Sequence, residues 1–349
     1  MKKITVAVLF GGCSTEYDVS LQSAYSVIDN LNPEKYNIIL LGITREGRWL
    51  KYSGDIDKIK KNTWQEDSSC VPAIISPDCS TGGILIRGKE RVTELRVDVA
   101  FPVLHGKNGE DGTVQGLLEM AGIPYVGCGV LSSALCMDKD MAHRLVRLAG
   151  IRTPKSIVLY SPVQKEELFK RAENLQYPLF IKPANAGSSF GITKASGREE
   201  LAWGVKIAFL HDKKVVIEEA ISGFEVGCAV IGNDKLTVGE VDEIELSQGF
   251  FDYTEKYTLK TSSIHMPARI DKEIAKRIRE TAAVIYRTLG CRGLARVDMF
   301  LTPEDEIVFN EVNTIPGFTM HSRYPSMLGG IGMTFPQIVE ELIRLAMQP

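Results

Sequence analysis

The start of the chain sets the strongest constraint on its fold. Ile4–Phe10 is a β-rich apolar run closed by Gly11-Gly12, a helical pattern follows from about Glu16 to Leu31, and a second apolar run occupies Ile38–Ile43. Two apolar strands joined through a helix pair in parallel, because the crossover returns the chain to the same edge. A parallel sheet is covered on both faces, which places this region in the α/β class. Val97–Leu104 reads as another strand and Thr113–Ala121 as another helix. Between them, residues from about Tyr52 to Arg96 are less regular and rich in Ser, Gly and Pro, and read as an insertion with short strands of its own. The first domain is expected to end near Cys136.

With 349 residues, the chain holds more than one domain at roughly 150 residues each. Asp138–Ala149 is helical in pattern; Ile157–Leu159, Leu179–Ile181 and Val215–Glu219 read as strands, with helices near Val163–Asn174 and Arg198–Leu210. Together they describe a small α+β domain. Glu225–Ile231 and Leu236–Leu246 read as antiparallel strands opening a third region, followed by a periodic helix at Asp271–Leu289. Leu294–Leu301 and Ile307–Val312 read as a hairpin, and Phe335–Met347 as a terminal amphipathic helix. The net charge of −3 gives no electrostatic footprint for nucleic acid or an anionic membrane. Seven cysteines with wide spacings and no C-x-x-C pair fit neither a disulfide framework nor a zinc site, and point to a reduced, cytoplasmic setting. No apolar run reaches the roughly 18 residues of a membrane helix. The apolar start is short and is followed at once by Glu16 and Asp18, which suits a buried strand rather than a signal peptide.

The hairpin carries the first chemistry. Strand side chains alternate faces, so Arg296 and Asp298 share one face of the first strand, and Glu311 and Asn313 one face of the second. With a four-residue loop at Pro303–Glu306, Asp298 lies opposite Glu311 and Arg296 near Asn313. Facing carboxylates repel. Either a hard divalent cation with oxygen ligands relieves the conflict, or the hairpin is a solvated charged surface with an Arg296–carboxylate pair. Lys182-Pro183-Ala184-Asn185-Ala186-Gly187-Ser188-Ser189-Phe190-Gly191 follows a strand; it is either a phosphate-covering turn built from backbone N–H groups or a plain surface turn. Glu218-Glu219 ends an apolar strand, as an acceptor for an adenine amino group or as a strand running into solvent. His105-Gly106-Lys107-Asn108-Gly109-Glu110-Asp111-Gly112 lies beyond a strand's carboxyl end and opens a helix, a place where ligands bind in open α/β sheets; a structural histidine is the alternative. Glu16 either complements a helix dipole or holds a substrate ammonium. Phe250–Tyr257 mixes aromatics and charges, as a lid over a polar site or as an aromatic edge strand.

Taken together these motifs resemble the D-alanine–D-alanine ligase family of ATP-grasp enzymes. The likeness runs over nearly the whole chain in unbroken order and is strongest in His105–Gly116, Lys182–Gly191 and Arg296–Ser322, which contains Asn310-Glu311-Val312-Asn313-Thr314-Ile315-Pro316-Gly317. The resemblance implies an α/β (α+β) ATP-grasp fold of three domains: residues 1–137 binding substrate, with the insertion at about 52–96, residues 138–222, and residues 223–349 carrying the catalytic groups. ATP, the co-substrate, would lie between the second and third. By the same resemblance Lys139 and Lys182 contact phosphates, Ser188 and Ser189 cover them, Glu218 with Glu219 and Ala220 meets adenine, Glu225 binds the ribose, and Lys256 and Asn310 border the nucleotide. Asp298, Glu311 and Asn313 would ligate magnesium or manganese, as two ions. Glu16, linked through Ser188 to Tyr257 of the lid, would hold the first D-alanine's ammonium, and His105 lies near its carboxylate. Arg296 and the Gly317 N–H would face the tetrahedral intermediate. A homodimer is also implied.

One departure bears on the second substrate. Ser322 matches the residue that binds its carboxylate. The next position is usually Leu in alanine-adding members and is Arg323 here. Leu gives an apolar wall suited to a methyl group, whereas Arg supplies donors for a hydroxyl. Asp242 and Phe251 lie on segments that could complete such a pocket. The pattern looks like the D-alanine–D-serine ligases of vancomycin resistance, and Tyr257 differs from the His that the D-lactate-adding branch carries in its lid. The alternatives are an ordinary D-alanine–D-alanine ligase, an ATP-grasp carboxylate–amine ligase with other substrates, and a nucleotide-binding module without turnover. Gly11-Gly12-Cys13-Ser14-Thr15 lacks the G-x-G-x-x-G of a dehydrogenase.

Overall fold

The structure is a computed structural model that describes residues 2–88, 90–185, 187, 191–246 and 262–348. In the first of its three sheets, β1 (Ile4–Gly11) pairs in parallel with β2 (Tyr36–Ile43) and β7 (Val99–Val103), as the strand–helix–strand opening requires. The segment read as an insertion does form short strands, β3 (Trp49–Tyr52), β4 (Val71–Ile75), β5 (Gly83–Arg87) and β6 (Val92–Arg96). They extend this sheet antiparallel from the β2 edge, giving the order β6-β5-β4-β3-β2-β1-β7, so it is mixed rather than wholly parallel. Gly11 ends β1 at φ +87°, and a side chain there would collide with the Ile43 carbonyl oxygen. That close approach lets the chain leave β1 and enter the helix Tyr17–Asp29.

The second sheet contains β8 (Ser156–Leu159), β9 (Leu179–Pro183), β10 (Thr193–Ala195) and β11 (Val215–Glu219), antiparallel in the order β10-β9-β11-β8. The third contains β12 (Phe224–Gly232), β13 (Leu236–Leu246), β14 (Ser262–His265), β15 (Gly293–Leu301) and β16 (Ile307–Asn313) in the order β14-β13-β12-β15-β16. Helices start where capping residues predict. Asp138 accepts from the Met141 N–H ahead of Lys139–Leu148, Asp271 from the Glu273 N–H ahead of Lys272–Thr288, and Thr334 forms a capping box with Gln337 ahead of Phe335–Ala346.

Three helices escape the sequence reading, the single turn Asp57–Lys60 within the insertion, and, of eight residues each, Val130–Met137 and Arg323–Gly330. Arg323–Gly330 contains Pro325 and ends in Gly329-Gly330, residues that count against a helix. Pro325 falls in the first turn, where its missing N–H is no loss. One hydrophobic core joins Val6, Phe10 and Phe101 of the first sheet to Phe318, Tyr324, Ile338 and Leu342 near the C-terminus. Phe318 sits at its centre, its ring edge-on to Phe101 and Phe335 at 6.2 and 5.3 Å. The loop after β16 is thereby packed directly onto the first sheet.

Candidate active site

The β15–β16 hairpin has the expected register, Asp298 opposite Glu311 and Arg296 opposite Asn313. It reaches that register by a different route. Leu301 pairs with Ile307, so the loop spans 302–306, one residue more than expected; the pairing then shifts between Asp298–Glu311 and Met299–Phe309, with Asn310 as the extra residue that restores the alignment. The bulged Asn310 turns its carbonyl to His143 Nε2 at 2.7 Å. His143 is buried, its Nδ1 has no partner among the described residues, and burial pulls its pKa below the ordinary value.

Asp298 is 1 % exposed and held from several sides. Arg296 Nε and Nη2 donate to it at 2.8 and 2.7 Å, Asn313 Nδ2 at 2.8 Å, and Arg323 Nη1 lies 3.5 Å away. Glu311 has Lys139 Nζ at 3.8 Å. Cations therefore relieve the facing carboxylates. The described residues gather no set of three carboxylate, imidazole or thiol ligands. The donor set of the hairpin is two carboxylates and an amide, all capable of offering oxygen, an incomplete cage of the kind that suits a magnesium ion also held by phosphates.

Arg323 lies in the same network. Its Nε and Nη2 donate to Asp242 Oδ2 and Oδ1 at 2.7 and 2.8 Å, and its Nη1 to Glu225 Oε1 at 3.0 Å. Glu225, expected beside a ribose, thus also holds Arg323. Strand register explains the arrangement. Gly227 of β12 pairs with Asp242 of β13 on one side and Asp298 of β15 on the other. A side chain at Gly227 would collide with Arg323 Nη2 and come within 2.6 Å of Asp242 Oδ1 and 2.8 Å of Met327 Cε. The missing side chain is the slot in which the guanidinium lies between the two aspartates. Of its five N–H groups, three make hydrogen bonds, to Asp242 and Glu225.

On the second sheet, Lys182 of β9 forms an ion pair with Glu218 of β11. Glu218 is 2 % exposed, and its Oε2 has no hydrogen-bond partner among the described residues. A buried acceptor left open in this way fits an amino donor such as that of adenine. Glu219 Oε1 accepts from the Gln176 N–H at 2.8 Å, and the Ala220 N–H donates to the Pro178 carbonyl at 3.0 Å. Their groups still open to a base are therefore not these.

On the side of the first sheet, Glu16 stands at the entrance to the helix Tyr17–Asp29 and is buried. A methyl group on Gly106 or Gly187 would come within 2.5 or 2.8 Å of its Oε2, so the His105 loop and the turn after β9 both close on this carboxylate. His105 Nδ1 donates to the Ile315 carbonyl at 2.8 Å and its Nε2 lies 3.1 Å from Ser23 Oγ. Burial pulls its pKa down, against the raising pulls of Glu16 and the Ile315 carbonyl. Glu110 accepts from the Gly106 N–H at 2.7 Å and the Ile315 N–H at 3.0 Å. Burial, then the charge of Glu16, push its carboxyl up to about 8. Ser322 Oγ accepts from the Thr319 N–H at 2.9 Å, and a methyl on Gly317 would stand 3.2 Å from it. A small cavity of about 30 Å³ brings Glu110, Cys136, Lys139, Gly187, Glu311 and Asn313 together. A broader groove of about 870 Å³, between β1, β2 and the last helix, holds none of these residues.

Ser188, Ser189, Phe251, Lys256 and Tyr257, with the expected lid at about 247–258, lie outside the described residues. The sequence reading gave no role to Ser23, Glu110, His143 or Gly227. A signal existed for Ser23: it falls on the buried face of its helix with Ser20, Leu21, Ala24 and Val27, where a hydroxyl needs a partner.

The fold and this collection of groups define a carboxylate–amine ligase of ATP-grasp type, and the chain belongs to the D-alanine–D-alanine ligase family. The family models described as "D-ala D-ala ligase N-terminus" and "D-ala D-ala ligase C-terminus" match residues 5–128 and 145–344. A crystal structure of the VanG D-Ala:D-Ser ligase from Enterococcus faecalis superposes with a TM-score of 0.92 at 59% identity, over 99% of this chain and 100% of the other. The vancomycin B-type resistance protein VanB of Enterococcus faecalis is 49% identical over the full length of both chains. A D-alanine–D-alanine ligase of Caldicellulosiruptor bescii is 46% identical over 100% of this chain and 96% of its own. The family is ATP-dependent and acts on small molecules. No helix among the described residues is long and apolar enough to cross a membrane.

Proposed function

We propose that the chain joins D-alanine to D-serine at the expense of ATP, making a dipeptide for modified peptidoglycan precursors and hence vancomycin resistance. The observation that carries the acceptor assignment is the buried Arg323–Asp242 pair seated over Gly227, a polar wall where alanine-adding members have Leu. Arg323 has N–H groups beyond the three that bond Asp242 and Glu225, and Asp242 can accept; a hydroxyl can pair with either. The likeness to a D-Ala:D-Ser ligase structure supports the same reading. The relative from Caldicellulosiruptor bescii favours the second reading, D-alanine as acceptor.

In this mechanism the carboxylate of the first D-alanine, its ammonium held by Glu16, attacks the γ-phosphorus of ATP and ADP leaves. Lys139 and Lys182 neutralise charge on the transferring phosphoryl group. Magnesium or manganese held by Asp298, Glu311 and Asn313 would add to that neutralisation when bound. The neutral D-serine amine attacks the acyl carbon of the D-alanyl phosphate, the C–O bond to phosphate breaks, and the departing phosphate takes up the proton the amine loses. Arg296 and the Gly317 N–H stabilise the oxyanion, Ser322 holds the acceptor carboxylate, and the lid with Lys256 and Tyr257 keeps water from the acyl phosphate. We extend the reading to three domains at 1–137, 138–222 and 223–349, a homodimer and a cytoplasmic location.

The test is competition between D-serine and D-alanine at equal concentration with D-alanine as donor, the dipeptides identified by mass. D-Ala-D-Ser should dominate. Arg323→Leu should move the ratio towards D-Ala-D-Ala by roughly 1–3 kcal/mol, the span of one pocket contact. An unchanged ratio removes Arg323 as the selector.

A further inference from the structure

The backbone after β16 is gripped from the first domain. Pro316 has no N–H, so residues 315–319 carry four amide donors. The Ile315 N–H goes to Glu110 Oε1 at 3.0 Å, the Phe318 N–H to Ser23 Oγ at 3.1 Å and the Thr319 N–H to Ser322 Oγ at 2.9 Å. The Gly317 N–H alone of the four has no acceptor among the described residues. The grip is closed on itself. The Ile315 carbonyl accepts from His105 Nδ1, which makes His105 the Nδ1–H tautomer; its Nε2 then accepts from the Ser23 hydroxyl, whose oxygen is left to receive the Phe318 N–H. Ser23, His105 and Glu110 are all buried, and all come from the segment that carries the first sheet.

We propose that Ser23 and Glu110 are positioning residues that fix residues 315–318 so that the Gly317 N–H points at the developing oxyanion. This rests on the ligase reading above, in which that N–H meets the tetrahedral intermediate. Both side chains are committed to protein groups, Ser23 to the Phe318 N–H and His105, Glu110 to the Ile315 and Gly106 N–H groups. They pin the peptide groups on both sides of Gly317, and the remaining donor is oriented because its neighbours cannot turn. A preorganised donor needs no rearrangement at the moment of reaction, and a misplacement of about 1 Å can cost about a hundredfold in rate.

Ser23→Ala and Glu110→Gln separate this role from a structural one. The measurements are kcat, KM for ATP, melting temperature, and phosphate released per dipeptide formed. In both variants kcat should fall about 10- to 100-fold with KM for ATP within about twofold of wild type. The phosphate-to-dipeptide ratio should rise above one, because an acyl phosphate that waits longer for its amine is lost to water. A structural role would lower the melting temperature and leave the ratio at one. If either variant fails to fold, the other decides alone. Folded variants with wild-type kcat, or with lowered kcat and a ratio of one, overturn the proposal while the ligase reading stands. A wild-type protein that makes no dipeptide sinks both.

Discussion

The groups of the candidate site are held in two ways that contrast sharply. On the side of the first sheet, Ser23, His105 and Glu110 hold backbone amides through hydrogen bonds with little net charge. On the side of the third sheet, Arg296 and Arg323 are held by Glu225, Asp242 and Asp298 through charge. A grip on backbone is blind to the side chains it holds and fixes geometry for whatever acceptor arrives. An ionic grip depends on which side chains are present and shapes the wall that an acceptor meets. Damage on the first side should slow every acceptor alike; damage on the second should change which acceptor is taken.

Arg296→Ala should produce the largest effect and spans both halves of the contrast. In the proposed mechanism it removes a donor to the oxyanion, and it should lower kcat by about 10²–10³, the scale for one such group. It also strips Asp298 of its closest cation. Breaking a buried pair by removing one partner costs about 3–5 kcal/mol, so urea unfolding should register a loss of that order. Normal turnover in a folded variant would remove Arg296 from catalysis.

Gly227→Ala comes next. The added methyl meets the ends of Arg323, Asp242 and Met327, not backbone, so the strands need not separate. Arg323 must shift from its slot. Preference for D-serine over D-alanine should fall by about tenfold, near 1.4 kcal/mol, while the rate with D-alanine stays within a fewfold. Equal slowing with both acceptors would break the contrast between the two grips. A clean change of ratio would sharpen it, because Glu110→Gln should slow both acceptors to the same extent.

The sequence discloses the two grips unequally. Alternation along β15 and β16 was enough to place Arg296, Asp298, Glu311 and Asn313 together, since period-two patterning needs only a register. The register itself rested on cancelling deviations, a longer loop and a bulge at Asn310, neither of which leaves a mark in local patterning. The Arg323 slot was half legible. The departure from Leu was visible, but the role of Gly227 depends on β12 lying between β13 and β15, a long-range pairing. Ser23 and Glu110 stayed hidden because their partners are backbone amides some 200 to 300 residues away. Backbone amides occur at every non-proline position, so no residue type announces them.

The smallest effect is a slope in stability with pH. Glu110 has its carboxyl raised to about 8 in the folded chain, against about 4.3 for an ordinary glutamate. Between those values the folded protein binds a proton that the unfolded chain has released. The stability this group contributes is therefore complete below about pH 4 and is lost as pH rises through 8. His105 runs the other way. Its pKa is lowered by burial, so its contribution is complete above about 6.5 and lost as pH falls. Comparing wild type with Glu110→Gln isolates the first, because the amide does not titrate and His105 is common to both. Measured by urea unfolding from pH 5 to 9, the wild type should lose ground against the variant as pH rises and level off above 8. The slope should not exceed the ceiling of about 1.4 kcal/mol per pH unit set by one proton. A difference that is flat over the whole range would mean that Glu110 is ionised as it holds Ile315, and that the grip on the first-sheet side is as ionic as the one facing it.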